Sequence, residues 1–240
     1  MRSNRMRRLT ARSLMLGGLV TLLALVAFLA IRTQAHDNGI PWFLRTAHDF
    51  NGRLWSGLFS AQRTPPKKGA PAATKPRVNG LLGIEAPIDV RTWRLRVYTE
   101  DKLVKTLPLA GLKLLPQTNT ATQFYCIEGW STQFSYAGVK FSEFMKSVGI
   151  GGQYKYVGLE TPDGKYYVSV DLDSMMHPMT LLAFEMNEQP LSNDNGAPLR
   201  LIIPIKYGIK SLKRIGTIRF SNTRPPDYWA ERGYDWYSGL

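Results

Sequence analysis

Residues 123–131 read Gln-Phe-Tyr-Cys-Ile-Glu-Gly-Trp-Ser. Residues 123–128 (QFYCIE) are apolar and aromatic enough for a strand, and Gly129 marks a turn at its end. The stretch holds Cys126, the single cysteine among 240 residues, so no intrachain disulfide is available. A lone cysteine on a strand has two readings. It is a small buried hydrophobe, or it is a thiolate that binds a metal or acts as a nucleophile. Its own spacing does not separate them.

Further strands are expected at 93–97, where Trp-Arg-Leu-Arg-Val alternates, and at 154–160, 166–170, 181–186, 199–203 and 215–220. Pro162-Asp163-Gly164 and Asn193-Asp194-Asn195-Gly196 punctuate them as turns. Short helices are expected at 141–148 and at 227–231, after Pro225-Pro226. The fold class is therefore α+β and strand-rich, without the βαβ alternation of a dinucleotide-binding domain. No GxGxxG, GxxxxGK[ST] or HExxH occurs, and His36, His48 and His177 are too dispersed for a zinc site. His177 reads as a structural hydrogen-bonder. Lys206, Lys210, Lys213, Arg214 and Arg219 follow the second turn closely, either as a solvated basic face or as an anion site.

The N-terminus has a different character. Residues 13–31 form a run of 19 uncharged residues, about 28 Å as a helix, close to the roughly 30 Å of a bilayer core. Arg2, Arg5, Arg7, Arg8 and Arg12 precede it and Arg32 follows. That bias keeps the N-terminus cytoplasmic and sends the rest across the membrane, as a single-pass anchor. A cleaved signal peptide is the competing reading, and the length of the run favours the anchor. The first 35 residues hold six arginines and no acid, leaving 25 bases against 18 acids elsewhere. Much of the net charge of +13 thus sits beside the apolar run, which argues against a nucleic-acid partner. Residues 40–59 carry an aromatic helical face (Phe43, Ala47, Phe50, Leu54 and Leu58) that suits either a lipid interface or packing on the main domain. Residues 61–76 are rich in proline and lysine and read as a stiff linker. Three regions follow: 1–35, tail and anchor; 36–77, juxtamembrane segment and linker; 78–240, the globular domain.

Residues 124–131 resemble the cysteine segment of the sulfite-oxidase-type molybdopterin oxidoreductases, and within that family the catalytic subunits of periplasmic methionine-sulfoxide reductases. Met176-His-Pro-Met-Thr-Leu-Leu182, Asn195-Gly-Ala-Pro-Leu-Arg-Leu-Ile-Ile-Pro204, Lys206-Tyr-Gly-Ile-Lys210 with Lys213, and Arg224-Pro-Pro226 continue the likeness over roughly residues 90–240.

The resemblance implies a strand-rich sulfite-oxidase-type fold and a Mo-molybdopterin cofactor, its metal bound by one protein thiolate at Cys126. A soft anionic sulfur suits a metal that cycles between oxidation states. It also places Thr161, Asn195, Arg200, Ser211, Leu212 and Lys213 at cofactor-binding positions. Thr and Asn answer the hydrogen-bonding edges of a pterin, and Arg and Lys its phosphate. Two departures matter. Gly129, Trp130, Ser131 and Thr132 stand where sulfite oxidases have substrate-binding arginines, which argues against sulfite as substrate. The segment before the first strand is shortened to Val78-Asn79-Gly80, leaving Asn79 as the substitute cofactor ligand.

The implied activity is two-electron oxygen-atom transfer, reducing a small sulfoxide-like or N-oxide-like molecule at the extracytoplasmic, periplasmic face of the inner membrane. With no CxxCH and no flavin motif, electrons come from a separate partner, a membrane haem or quinone-linked protein. The alternative is a non-catalytic envelope module that keeps the fold and binds a ligand or protein.

Overall fold

The computed structural model describes residues 2–37, 39–60, 62, 64 and 80–240; Asn79 and most of the expected linker lie outside the described residues. The chain divides into two compact units, residues 1–47 and 48–240. The break between the units falls inside a helix.

The first unit opens with α1 (Arg2–Thr33), 32 residues long. Its span Leu9–Thr33 is long and apolar enough to cross a membrane by length and composition. A short hairpin follows, β1 (His36–Asp37) paired antiparallel with β2 (Ile40–Pro41), and then α2 (Trp42–Gly57) begins.

The second unit contains β3 (Arg94–Thr99), β4 (Lys102–Pro108), α3 (Leu109–Lys113), β5 (Gln117–Tyr125), β6 (Ser131–Lys140) and α4 (Phe141–Ser147). It continues with β7 (Tyr156–Glu160), β8 (Tyr167–Asp171), α5 (Leu172–Met175), β9 (Leu181–Met186), β10 (Gln189–Pro190), β11 (Arg200–Ile202) and β12 (Thr217–Ser221). One sheet runs in the order β4-β3-β12-β7-β8, with β3 and β12 parallel. The other runs β10-β9-β6-β5, and β11 also pairs with β9.

Alternation decides which side of each strand is buried. Leu95 and Val97 of β3, Val157 and Leu159 of β7 and Ile218 and Phe220 of β12 pack with Phe141, Phe144 and Met145 of α4 in the main core. The second sheet is buried on both faces. Val139, Leu182, Phe184 and Leu201 join the main core, while Phe134, Tyr136, Leu181, Ala183, Met186 and Ile202 form a smaller cluster on the opposite face. That second cluster supplies a wall of the candidate site. Gly138 lets β6 and β9 close up, since a Cβ there would overlap the backbone of Leu182. The chain is mixed α+β and strand-rich, as the sequence pattern implied.

Candidate functional site

β5 stops at Tyr125, so Cys126 sits one residue past the strand end rather than within a strand as expected. The hairpin to β6 turns there: Gly129 N donates to Cys126 O (3.1 Å), Cys126 N donates to Trp130 O (2.9 Å), and Gly129 has φ +89°. Such a φ favours glycine. Trp130 Nε1 donates to Glu128 Oε2 at 3.0 Å, bracing the turn.

Cys126 lines a cavity of about 370 Å³. Phe124, Phe134, Tyr136 and Met186 of the second sheet form one wall of it, and Tyr166, Trp229 and Tyr234 another. Asn195, Arg200, Ser211 and Lys213 supply polar groups. The structure therefore brings together five sequence-predicted residues: Cys126, Asn195, Arg200, Ser211 and Lys213.

Thr161 and Leu212 are not among the residues that line this cavity. Thr161 Oγ1 hydrogen-bonds Asp163 Oδ1 (2.6 Å) and accepts from Tyr166 N (3.1 Å), closing the turn that carries Tyr166 to the cavity. Leu212 lies in the main core, its N–H donated to Lys210 O and its carbonyl accepting from Leu201 N.

Two polypeptide turns converge on the cationic end. Asn195 closes a short 3₁₀ turn, Asn193–Asn195, whose Ser192 Oγ accepts from Asn195 Nδ2 at 2.9 Å. Arg200 NH1 then donates back to Asn195 O at 3.1 Å. The Arg200 side chain is buried beside the Tyr136 ring, 5.6 Å from guanidinium carbon to ring centroid, and its Nε has no hydrogen-bond partner. Lys213 Nζ reaches Gly80 O at 2.8 Å. Burial, and secondarily Arg200, push Lys213 down to about 8, with Asp194 pulling weakly the other way. Two cations facing one cavity, one with an orphaned donor, are the arrangement an anion relieves.

None of the remaining bases after the turn lines the cavity, and Lys206, Lys210 and Arg214 are buried rather than part of a solvated face. Lys210 Nζ pairs with Asp227 Oδ2 at 2.5 Å and Lys206 Nζ with Asp171 Oδ2 at 3.2 Å, both pairs in the interior. Arg214 donates to the carbonyls of Ala86 and Ala197 and to Asn193 Oδ1, stapling the turn from behind. Arg219 pairs with Asp101. His177 is buried and accepts from Met179 N at 3.2 Å, a structural role.

The cavity lining that sequence reasoning missed includes Tyr166, Trp229 and Tyr234 as well as Phe134, Tyr136 and Met186 of the second sheet. Tyr166 Oη donates to Ile209 O and accepts from Trp229 Nε1, and burial raises its pKa. Trp229 and Tyr234 come from the C-terminal segment, where aromatic density was the one available signal.

Among the described residues, no group of three or more His, Cys, Asp or Glu could hold a metal ion. A metal here would arrive on a cofactor and take a single protein thiolate. The cavity fits such a group: its lining includes a thiol, several aromatic side chains and the Arg200 and Lys213 cations, with Arg200 Nε lacking a hydrogen-bond partner.

This combination of fold and donor set defines a molybdopterin-binding oxidoreductase domain. The chain belongs to the oxidoreductase molybdopterin binding domain family, whose profile matches residues 82–229. It is 33% identical over 233 residues to YedZ1 of Azospira oryzae, a provisionally named protein-methionine-sulfoxide reductase subunit, covering 95% of this chain and 85% of that one. It is 34% identical over 166 residues to the protein-methionine-sulfoxide reductase catalytic subunit MsrP of Ralstonia nicotianae, covering 62% of this chain and 50% of that one. The chain thus spans about half the length of that catalytic subunit. The solved sulfane dehydrogenase SoxCD of Paracoccus pantotrophus shares the fold at a TM-score of 0.52 and 18% identity, over 58% of this chain and 40% of that one. The protein is an oxidoreductase, and its family implies a molybdopterin cofactor.

Proposed function

We propose that the chain is a membrane-anchored, extracytoplasmic reductase of sulfoxide-like substrates, with N-oxides as the nearest chemical alternative. The observation that carries this reading is the convergence of Cys126, Arg200 and Lys213, from three separate segments, on one cavity. The division of labour along the chain is anchor (1–35), juxtamembrane segment and linker (36–77) and catalytic domain (78–240). The apolar span Leu9–Thr33 and its arginine bias support the anchor.

When bound, the molybdenum–pterin group supplies two-electron oxygen-atom transfer. The chain's residues do the rest. Cys126 offers the soft anionic ligand. Arg200 and Lys213 hold the phosphate end, with Asn195, Ser211 and the polar atoms of Asn79 and Thr161 as further candidate partners. The Leu212 segment shapes the pocket through its backbone. Phe124, Phe134, Trp130 and Trp229 exclude water, which strengthens every polar contact inside. Reducing a sulfoxide consumes two electrons and two protons and yields a sulfide and water. The electrons come from a separate protein, for which a membrane haem or quinone-linked partner suits an anchored enzyme.

The test is molybdenum and pterin content of the full chain made with and without molybdate, together with dye-driven reduction of methionine sulfoxide. One molybdenum per chain, with turnover that requires it, is the expected result. Protein that binds neither metal nor pterin contradicts the proposal.

A further inference from the structure

We infer that the outward face of α2 is a lipid-contacting surface, seated at the headgroup–acyl boundary of the bilayer; this rests on the anchor proposed above. Phe43, Phe50, Leu54 and Leu58 follow one another at intervals of seven, four and four residues, which places them on a single helical stripe. All four are exposed, Phe50 at 58% and Leu58 at 60%. The opposite side is the one turned to protein. Gly52 is buried, its missing Cβ facing that of Tyr237, and Asp49 Oδ1 accepts from Arg224 NH1 at 3.0 Å.

This is the reverse of a surface helix of a soluble domain, which buries its apolar stripe. An apolar stripe held outward by polar contacts behind it marks a contact surface. Its occupant follows from where the helix begins. Trp42 N donates to Ala35 O at 2.9 Å, because the β1–β2 hairpin folds the connection back on itself. The first residue of α2 is therefore hydrogen-bonded to a residue only two past the end of the membrane-spanning candidate Leu9–Thr33, at the level where hydrocarbon gives way to headgroups. Trp42 and Trp55, both exposed, flank the stripe, and indole rings concentrate at that depth.

The chain offers a direct readout. No tryptophan lies between Leu9 and Thr33, so lipid quenching of tryptophan fluorescence does not report the anchor. Full-length protein is reconstituted in phosphatidylcholine–phosphatidylglycerol vesicles whose acyl chains are brominated near the headgroup. The expected result is quenching in the wild type that falls to the level of unbrominated vesicles in the Trp42→Phe/Trp55→Phe variant. Protein that resists carbonate extraction but is unquenched, or is quenched equally in the variant, overturns the interfacial helix and leaves the anchor standing. Protein that carbonate strips from the vesicles overturns both.

Discussion

Gly196 lies directly against the backbone of Lys213: a Cβ on Gly196 would overlap the Lys213 carbonyl, and Gly196 itself holds φ +95°. The contact welds the turn that carries Asn195 and Arg200 to the segment that carries Ser211 and Lys213. The two halves of the cationic pocket are therefore in direct backbone contact.

Gly196→Ala adds left-handed backbone strain to a steric overlap that only backbone movement can relieve. The expected cost is about 2–4 kcal/mol, read as a lowered urea midpoint, together with loss of bound cofactor. A variant with wild-type stability and occupancy would mean that the two segments are not coupled there.

Asp227 anchors the C-terminal segment. Its carboxylate accepts from Lys210 Nζ, Ser169 N and Ala230 N, and its neighbours Trp229 and Tyr234 line the cavity. Asp227→Ala strands a buried ammonium and is expected to cost ~3–5 kcal/mol. Lys210→Met combined with Asp227→Leu removes both charges and is expected to cost less than the single change. Denaturant titration of the two variants decides; the reverse order contradicts the assignment.

Arg200→Ala and Lys213→Ala test the anion pocket. Each charge-assisted hydrogen bond lost costs about 1.5–3 kcal/mol, so the double variant retains cofactor roughly 10²- to 10⁴-fold more weakly if the losses add. Molybdopterin occupancy is measured on protein shown by circular dichroism to be folded. Normal occupancy in the folded double variant puts the phosphate elsewhere.

Lys213 also gives the pocket a pH dependence. With its folded value near 8 against an ordinary 10.5, the unfolded chain holds more protons between those limits. The cofactor-free domain therefore gains stability as pH rises through that window. Anion binding runs the other way, because it needs the ammonium. Affinity for a phosphate ester, already a dianion above about pH 7, holds below about 8 and falls above it. Calorimetric titration of cofactor-free protein with the pterin, in wild type and Lys213→Met, checks this. Affinity that rises with pH, or a Met variant with an unchanged profile, contradicts it.

Much of the fold was legible where burial imposes a period. The apolar run 181–186 is β9 to the residue, and 156–160, 167–171 and 217–221 fall within two residues of expectation at each end. β4 was missed because all but Leu107 of this edge strand is exposed, so nothing imposes alternation. β6 was missed because Ser131, Thr132 and Gln133 open it and Gly138 interrupts it, the glycine serving close approach to β9 rather than strand propensity. In the site, Cys126, Asn195, Arg200, Ser211 and Lys213 were reached through resemblance, not through spacing. The partners of Lys206, Lys210 and Arg214 were invisible, since Asp171, Asp227 and the carbonyls of Ala86 and Ala197 approach them only after folding.

Whether Cys126 is the thiolate ligand is read most directly from the sulfur-to-metal charge-transfer absorption of full-length Cys126→Ser beside the wild type, with pterin content measured on the same samples. Serine oxygen is harder and far less readily ionised than a thiolate. The expected result is loss of that absorption and of sulfoxide turnover, with pterin still held through Arg200 and Lys213. A serine variant that keeps both the absorption and full turnover contradicts a molybdenum–Cys126 bond.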